Sequence, residues 1–147
     1  MSMFSALEVS GSAMEAQRQR AEVVAANMAN ADTTRTSSGG PYKRKEVVFS
    51  SSGSSAFQLL LAGFRRLTGR STPAVRVSRI VSDPAPAVMR YEPGHPDADK
   101  NGYVAYPNIN PIAEMVDLMG AVRSYQLNAA AVSASKQMIQ GSMDILK

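Results

Sequence analysis

"NPIAEMVDLMGAVRSYQLNAAAVSASKQMIQGSMDILK", Asn110 to Lys147, decides the fold. Asn110 can cap, Pro111 suits the first helical position, and Glu114 and Asp117 put negative charge at the positive end of the helix dipole. Only Gly120 and Gly141 weaken the run that follows. The spacing therefore predicts one long helix, in which Leu118, Tyr125, Val132, Ile139 and Leu146 recur every seven residues. A companion series holds Met115, Val122, Ala129, Lys136 and Met143. A seven-residue period sustained this long specifies a left-handed coiled coil.

The opposite end of the chain carries a second helical pattern. From Met3 to Asn30 there is no proline, and Phe4, Leu7, Gly11, Met14, Ala21, Ala25 and Met28 follow steps of three and four, interrupted by Arg18. "NMANADTT" closes it: Asn30 tolerates the left-handed cap geometry, and Asp32, Thr33 and Thr34 favour turns. Asn27 and Asn30 are expected to end this helix and set the direction in which the chain leaves it.

Between the two helices the composition turns to glycine, proline and serine. "GGPYKRKEVVF" reads as a turn and a strand, and "VRVSRIV", Val75 to Val81, alternates as a half-buried strand does. "SSSGSS" is a flexible serine-rich stretch and "AFQLLLAGFRRLTGR" after it a short helix with a basic end or an interfacial anchor, the two lying in a flexible insertion over about residues 50–72. The expected fold is α+β and mainly helical. Residues 1–32 and 110–147 form a discontinuous coiled-coil unit, and residues 33–109 form a small β-rich module.

Several chemistries lose their case in the sequence. A chain of 147 residues with 44% hydrophobic content folds as about one domain, and zero cysteines exclude disulfides, thiolate metal sites and a cysteine nucleophile. Asp97, Asp99, Asn101 and Gly102 copy the first half of a calcium loop, but Asn108 stands where the bidentate glutamate belongs, and Pro93, Pro96 and Pro107 replace the flanking helices. A proline-fixed turn is the expectation, with no metal or other cofactor. His95, the lone histidine, has no nucleophile context, so neither enzyme activity nor a small-molecule substrate is expected.

The net charge of +4 admits a cytoplasmic nucleic-acid-binding module as an alternative, although the basic residues cluster only at Lys43–Lys45 and Arg65–Arg66. The first twenty residues have no basic region ahead of the apolar ones, and no run of about 18 apolar residues would span a bilayer. A protein without a cleavable signal, and not membrane-spanning, is expected.

"ANMANADTTRTSSGGPYKRK", Ala26 to Lys45, resembles the signature of the bacterial flagellar rod and hook axial proteins, built around Asn27, Ala29, Asn30 and Thr33. "YEPGHPDADKNGYVAYPNINPIAEMVDLM" is similar to the same family, and "AVRSYQLNAAAVSASKQMI" extends the likeness through Arg123, Tyr125, Asn128 and Lys136. The resemblance implies a structural subunit of the basal-body rod that polymerises through its terminal helices and carries torque to the hook. It implies other rod proteins, further copies of the chain and the flagellar type III export apparatus as partners, and a place in the rod across the periplasm. The segment Ser50 to Thr72 departs from the family pattern in length. The assembly surfaces expected are the apolar stripe of the first helix and both heptad series of the last.

Overall fold

A computed structural model of the chain describes residues 3–51 and 74–144. Its elements in order are helix α1 (Met3–Ala29), strands β1 (Lys45–Ser51), β2 (Val75–Ser82), β3 (Val88–Tyr91) and β4 (Tyr103–Tyr106), and helix α2 (Pro111–Asp144). The fold is thus two long terminal helices around a small central β module. The expected helix or anchor at "AFQLLLAGFRRLTGR" lies outside the described residues, as do Leu146 and most of the expected insertion. No helix among the described residues is long and apolar enough to cross a membrane.

α2 starts where the sequence places it. Asn110 Oδ1 accepts the backbone N–H groups of Ile112 at 3.0 Å and Ala113 at 3.4 Å, satisfying donors that the first turn leaves free. Its 34 residues make a rod of about 51 Å, and the 27 of α1 one of about 40 Å. The two run antiparallel: Asn27 of α1 meets Glu114 of α2, and Arg20, further back in α1, meets Asp117. Alanines sit at the centre of the contact, with Ala16 and Ala121 buried beside Val24. Short side chains let the helices approach closely.

β1 and β2 pair antiparallel, from Lys45↔Ser82 to Ser51↔Val75, with a bulge between Val48 and Phe49. This ribbon lies along α1. Its open end is tied beside Asn27 through Lys45, and its far end beside Ser12, whose Oγ accepts the Val75 N–H at 3.1 Å. The seven steps of β2 from Val75 to Ser82, at about 3.3 Å each, match the fifteen helical steps from Ser12 to Asn27 at about 1.5 Å each, so ribbon and helix keep pace over some 23 Å.

β3 and β4 make a separate antiparallel hairpin, Val88↔Tyr106 to Tyr91↔Tyr103. The connection is the calcium-like stretch, and it is a turn. Asp99 Oδ1 accepts the N–H groups of Asn101 at 2.8 Å and Tyr103 at 2.9 Å, while Gly102 adopts φ +81°. A side chain at Gly102 would meet Tyr91 Cε2 at 2.9 Å. Asp97 turns instead to Thr34, whose Oγ1 donates to it at 2.8 Å, and so binds the hairpin to the loop after α1. His95 Nδ1 accepts the Asp97 N–H at 3.1 Å. Beneath the hairpin, Val104 and Tyr106 are buried, and the Tyr106 hydroxyl donates to Glu92 at 2.9 Å. That bond and burial raise the Tyr106 pKa.

Candidate functional site: a polar lock and the face left outside it

The buried centre of the molecule is polar. Asn27 is 0% exposed and Glu114 1%, fuller burial than most of the apolar core achieves. Asn27 uses its whole amide: Nδ2 donates to the Lys45 carbonyl at 2.9 Å and to Glu114 Oε2 at 3.0 Å. Its Oδ1 accepts the Lys45 N–H at 2.9 Å and the Tyr42 hydroxyl at 3.2 Å. One side chain therefore joins the end of α1, the start of β1 and the first turn of α2.

Arg44 completes the lock. Its Nε donates to Glu114 Oε1 at 2.6 Å and its Nη1 donates to Glu46, with Asp83 and Asp117 within 4.0 Å and 3.9 Å of the guanidinium. Burial works against the Arg44 charge, but the bonds to Glu114 and Glu46 prevail and raise its pKa. Burial, with the Glu114 charge behind it, also raises that of Tyr42. A cleft of about 300 Å³ opens alongside, lined in part by Arg20, Val24, Arg44 and Asp117. Two of its three cations already face carboxylates, Arg20 holding Asp117 at 3.0 Å and Arg44 holding Glu114, while the Lys45 ammonium lies over the Tyr42 ring at 5.6 Å from its centre. The arrangement fastens three elements together.

Asn27 thus plays a part different from the expected one. Asn30 does close α1, with its Nδ2 on the Ala26 carbonyl at 2.8 Å, and Thr33 follows by donating to Asn30 Oδ1 at 3.2 Å. Asn27 instead reaches across to a strand and a second helix. Glu114, read from the sequence as a dipole partner, is the acceptor that makes this possible.

The seam between the helices is also shifted from the one read in the sequence. The buried positions of α2 are Glu114, Ala121 and Ser135, with half-buried Asn128 completing a seven-residue series. Asn128 Nδ2 bonds the Ser124 carbonyl within α2. Leu118, Val132 and Ile139 flank this series half-buried, and Tyr125 is exposed at its edge. Met115, Val122, Lys136 and Met143 of the companion series face outward, with Ala129 half-buried. The physical reason is size: a close antiparallel pair takes small and hydrogen-bonded residues at its centre and displaces large ones.

In α1 the buried line runs through Ala16, Val24 and Asn27. Leu7, Met14, Ala21 and Met28 lie half-buried beside it, and Gly11, Ala25 and Ala29 are exposed. Phe4 falls in the first turn of α1. The outward side of α2 therefore presents Ile112 at 76% exposure, Val116 and Met119 at 58% each, and Met115 at 52%, with Arg123 exposed next in line. Large apolar side chains in contiguous turns of one helix are the mark of a surface that another protein covers.

Two family models match at the two helical ends. Residues 7–35 match the family described as "Flagella basal body rod protein", and residues 100–145 match "Flagellar basal body rod FlgEFG protein C-terminal". The molecule is of the flagellar axial class, in which both termini carry the family's identity.

Full-length relatives narrow this further. The chain is 41% identical to the flagellar basal-body rod protein FlgC of Bacillus subtilis over 100% of both chains. It is 36% identical to that of Borreliella burgdorferi over 100% of this chain and 99% of the relative, and 37% identical to that of Salmonella typhimurium over 95% and 94%. The chain belongs to the FlgC family of flagellar basal-body rod proteins, and it is a structural rod subunit. The nucleic-acid alternative gains no support: Arg18, Arg20, Arg35 and Arg44 are each turned to carboxylates of this same chain.

Proposed function

We propose that this subunit builds the proximal segment of the rod by polymerising through its terminal helices, and that the rod passes torque from motor to hook through side chains packed between subunits. The observation that carries the reading is the outward side of α2, where Ile112, Met115, Val116 and Met119 stand exposed within the very segment that matches the rod family. Partners are other rod proteins and copies of the chain itself. The work is mechanical, without bond chemistry, cofactor, nucleic acid or small-molecule substrate. The subunit reaches the periplasm through the flagellar export apparatus.

In this reading residues 1–32 and 110–147 form the axial unit, and residues 33–109 form the outer module. The lock of Asn27, Arg44 and Glu114 fixes the angle between them. The assembly surface draws on Phe4, Leu7, Met14, Ala21, Ala25 and Met28 of the first helix and on the exposed members of both heptad series of the last. A tagged chain expressed in place of the chromosomal copy tests the reading: it should copurify with isolated basal bodies and restore motility to the deletion strain. Its absence from basal bodies of motile cells would overturn it.

A further inference from the structure

The outward faces of the two helices are unlike in a way that fits one to the other. α2 presents large apolar side chains, Val116 and Met119 among them, with exposed Arg123 at the end of the row. Among the described residues Arg123 has no carboxylate partner. The exposed face of α1 carries small residues, Ala26 and Ala29, and then charge. There a single guanidinium, Arg18, is shared at 2.8 Å between Glu15 and Glu22, which leaves one negative charge unmatched. One helix has the bulk and a spare cation. The other has the hollows and a spare anion.

We propose that copies of this chain join head to tail around the rod, with the outward face of α2 in one copy seated on the outward face of α1 in the next and Arg123 paired to Glu22. The proposal rests on the rod-subunit reading above. Subunits of a polymer share polarity, so α2 of one copy and α1 of its neighbour run antiparallel. One register then satisfies the whole row: with Arg123 opposite Glu22, Met119 falls opposite Ala26 and Val116 opposite Ala29.

Within a copy Asn27 meets Glu114, so Arg123, nine residues on, lies level with Arg18. Glu22 is four residues from Arg18, and the neighbour is therefore displaced by about 6 Å along the helix axis. Two different faces in contact, repeated with a shift, generate an open helix rather than a closed pair.

The test uses the absence of native cysteine. A chain carrying both Met119→Cys and Ala26→Cys, expressed in place of the chromosomal copy, is oxidised within isolated basal bodies. Both positions lie on solvent faces of the helix pair, so bonds form only between copies. A ladder of dimers, trimers and higher species is expected, with no ladder from either single variant.

Arg123→Glu and Glu22→Arg should each lower incorporation into basal bodies by about tenfold or more, through like charges set face to face. The two together should recover most of it. An incorporated double-cysteine chain that gives no ladder overturns the proposal, as does a charge-swapped double variant no better than either single. If the parental chain is itself missing from basal bodies, the rod-subunit reading is what fails. If it is present and these results fail, the proposal falls and the rod-subunit reading stands.

Discussion

The end of the helix pair around Asn27 and the outer side of α2 obey opposite rules. In the first, polar atoms are buried and saturated: the Asn27 amide makes four hydrogen bonds and Glu114 answers both Asn27 and Arg44. In the second, large apolar side chains stand exposed to water. An ordinary globular domain reverses both assignments. The difference separates two jobs within one short chain. Buried hydrogen bonds are directional, so they fix one arrangement of helix, strand and helix, while exposed apolar area is left to reward association.

Glu114→Ala attacks the first region at its centre and should have the largest effect on the isolated subunit. It removes the carboxylate that is 1% exposed, leaving one buried Asn27 N–H without its acceptor and Arg44 with only Glu46 and the more distant Asp83 and Asp117. Breaking a buried pair from one side costs about 3–5 kcal/mol. Urea unfolding of the purified chain, followed by circular dichroism, should show a loss of that order. A loss below about 1 kcal/mol would mean that the lock is a surface ion pair in effect and that the contrast between the regions is false.

A smaller effect is expected at Gly102, which belongs to neither region and calibrates the comparison. Its φ of +81° and the Tyr91 ring atom 2.9 Å from any added Cβ make Gly102→Ala unfavourable on two counts. Strained backbone of this kind costs about 1–3 kcal/mol. The same unfolding measurement reads it. If the hairpin of β3 and β4 opens alone, amide exchange at Val104 and Tyr106 should accelerate while exchange at Ala121 does not.

Much of this architecture is legible without coordinates. Both helices, the Asn110 cap, the turn at Gly39 and Gly40 and the strands β1 and β2 follow from local rules, because each depends on residues within a few positions of one another. Heptad spacing also announces that the helices pair. Which heptad series turns inward is not local. Leu118 and Met115 look like the better core residues, yet Ala121 and Ser135 take the centre because interhelical distance, set by the whole contact, decides which volumes fit. The Asn27–Glu114 bond spans 87 positions, and neither residue type marks itself as half of a pair. β3 and β4 are four residues each, too short for alternation to declare them.

Met119→Ser sharpens the contrast from the other side. The side chain is 58% exposed, so its loss should change unfolding free energy by no more than about 0.5 kcal/mol, the range of ordinary surface substitutions. Incorporation into basal bodies should nonetheless fall clearly, because at an interface the same side chain would be desolvated and its methylenes would each contribute about 0.8 kcal/mol. The pair of measurements is decisive where either alone is not. A variant that unfolds as easily as Glu114→Ala would place Met119 in the subunit's own core, and one that is stable and fully incorporated would leave the outward side of α2 without a role in assembly. Stability without incorporation is the outcome expected of a face whose energy belongs to the polymer.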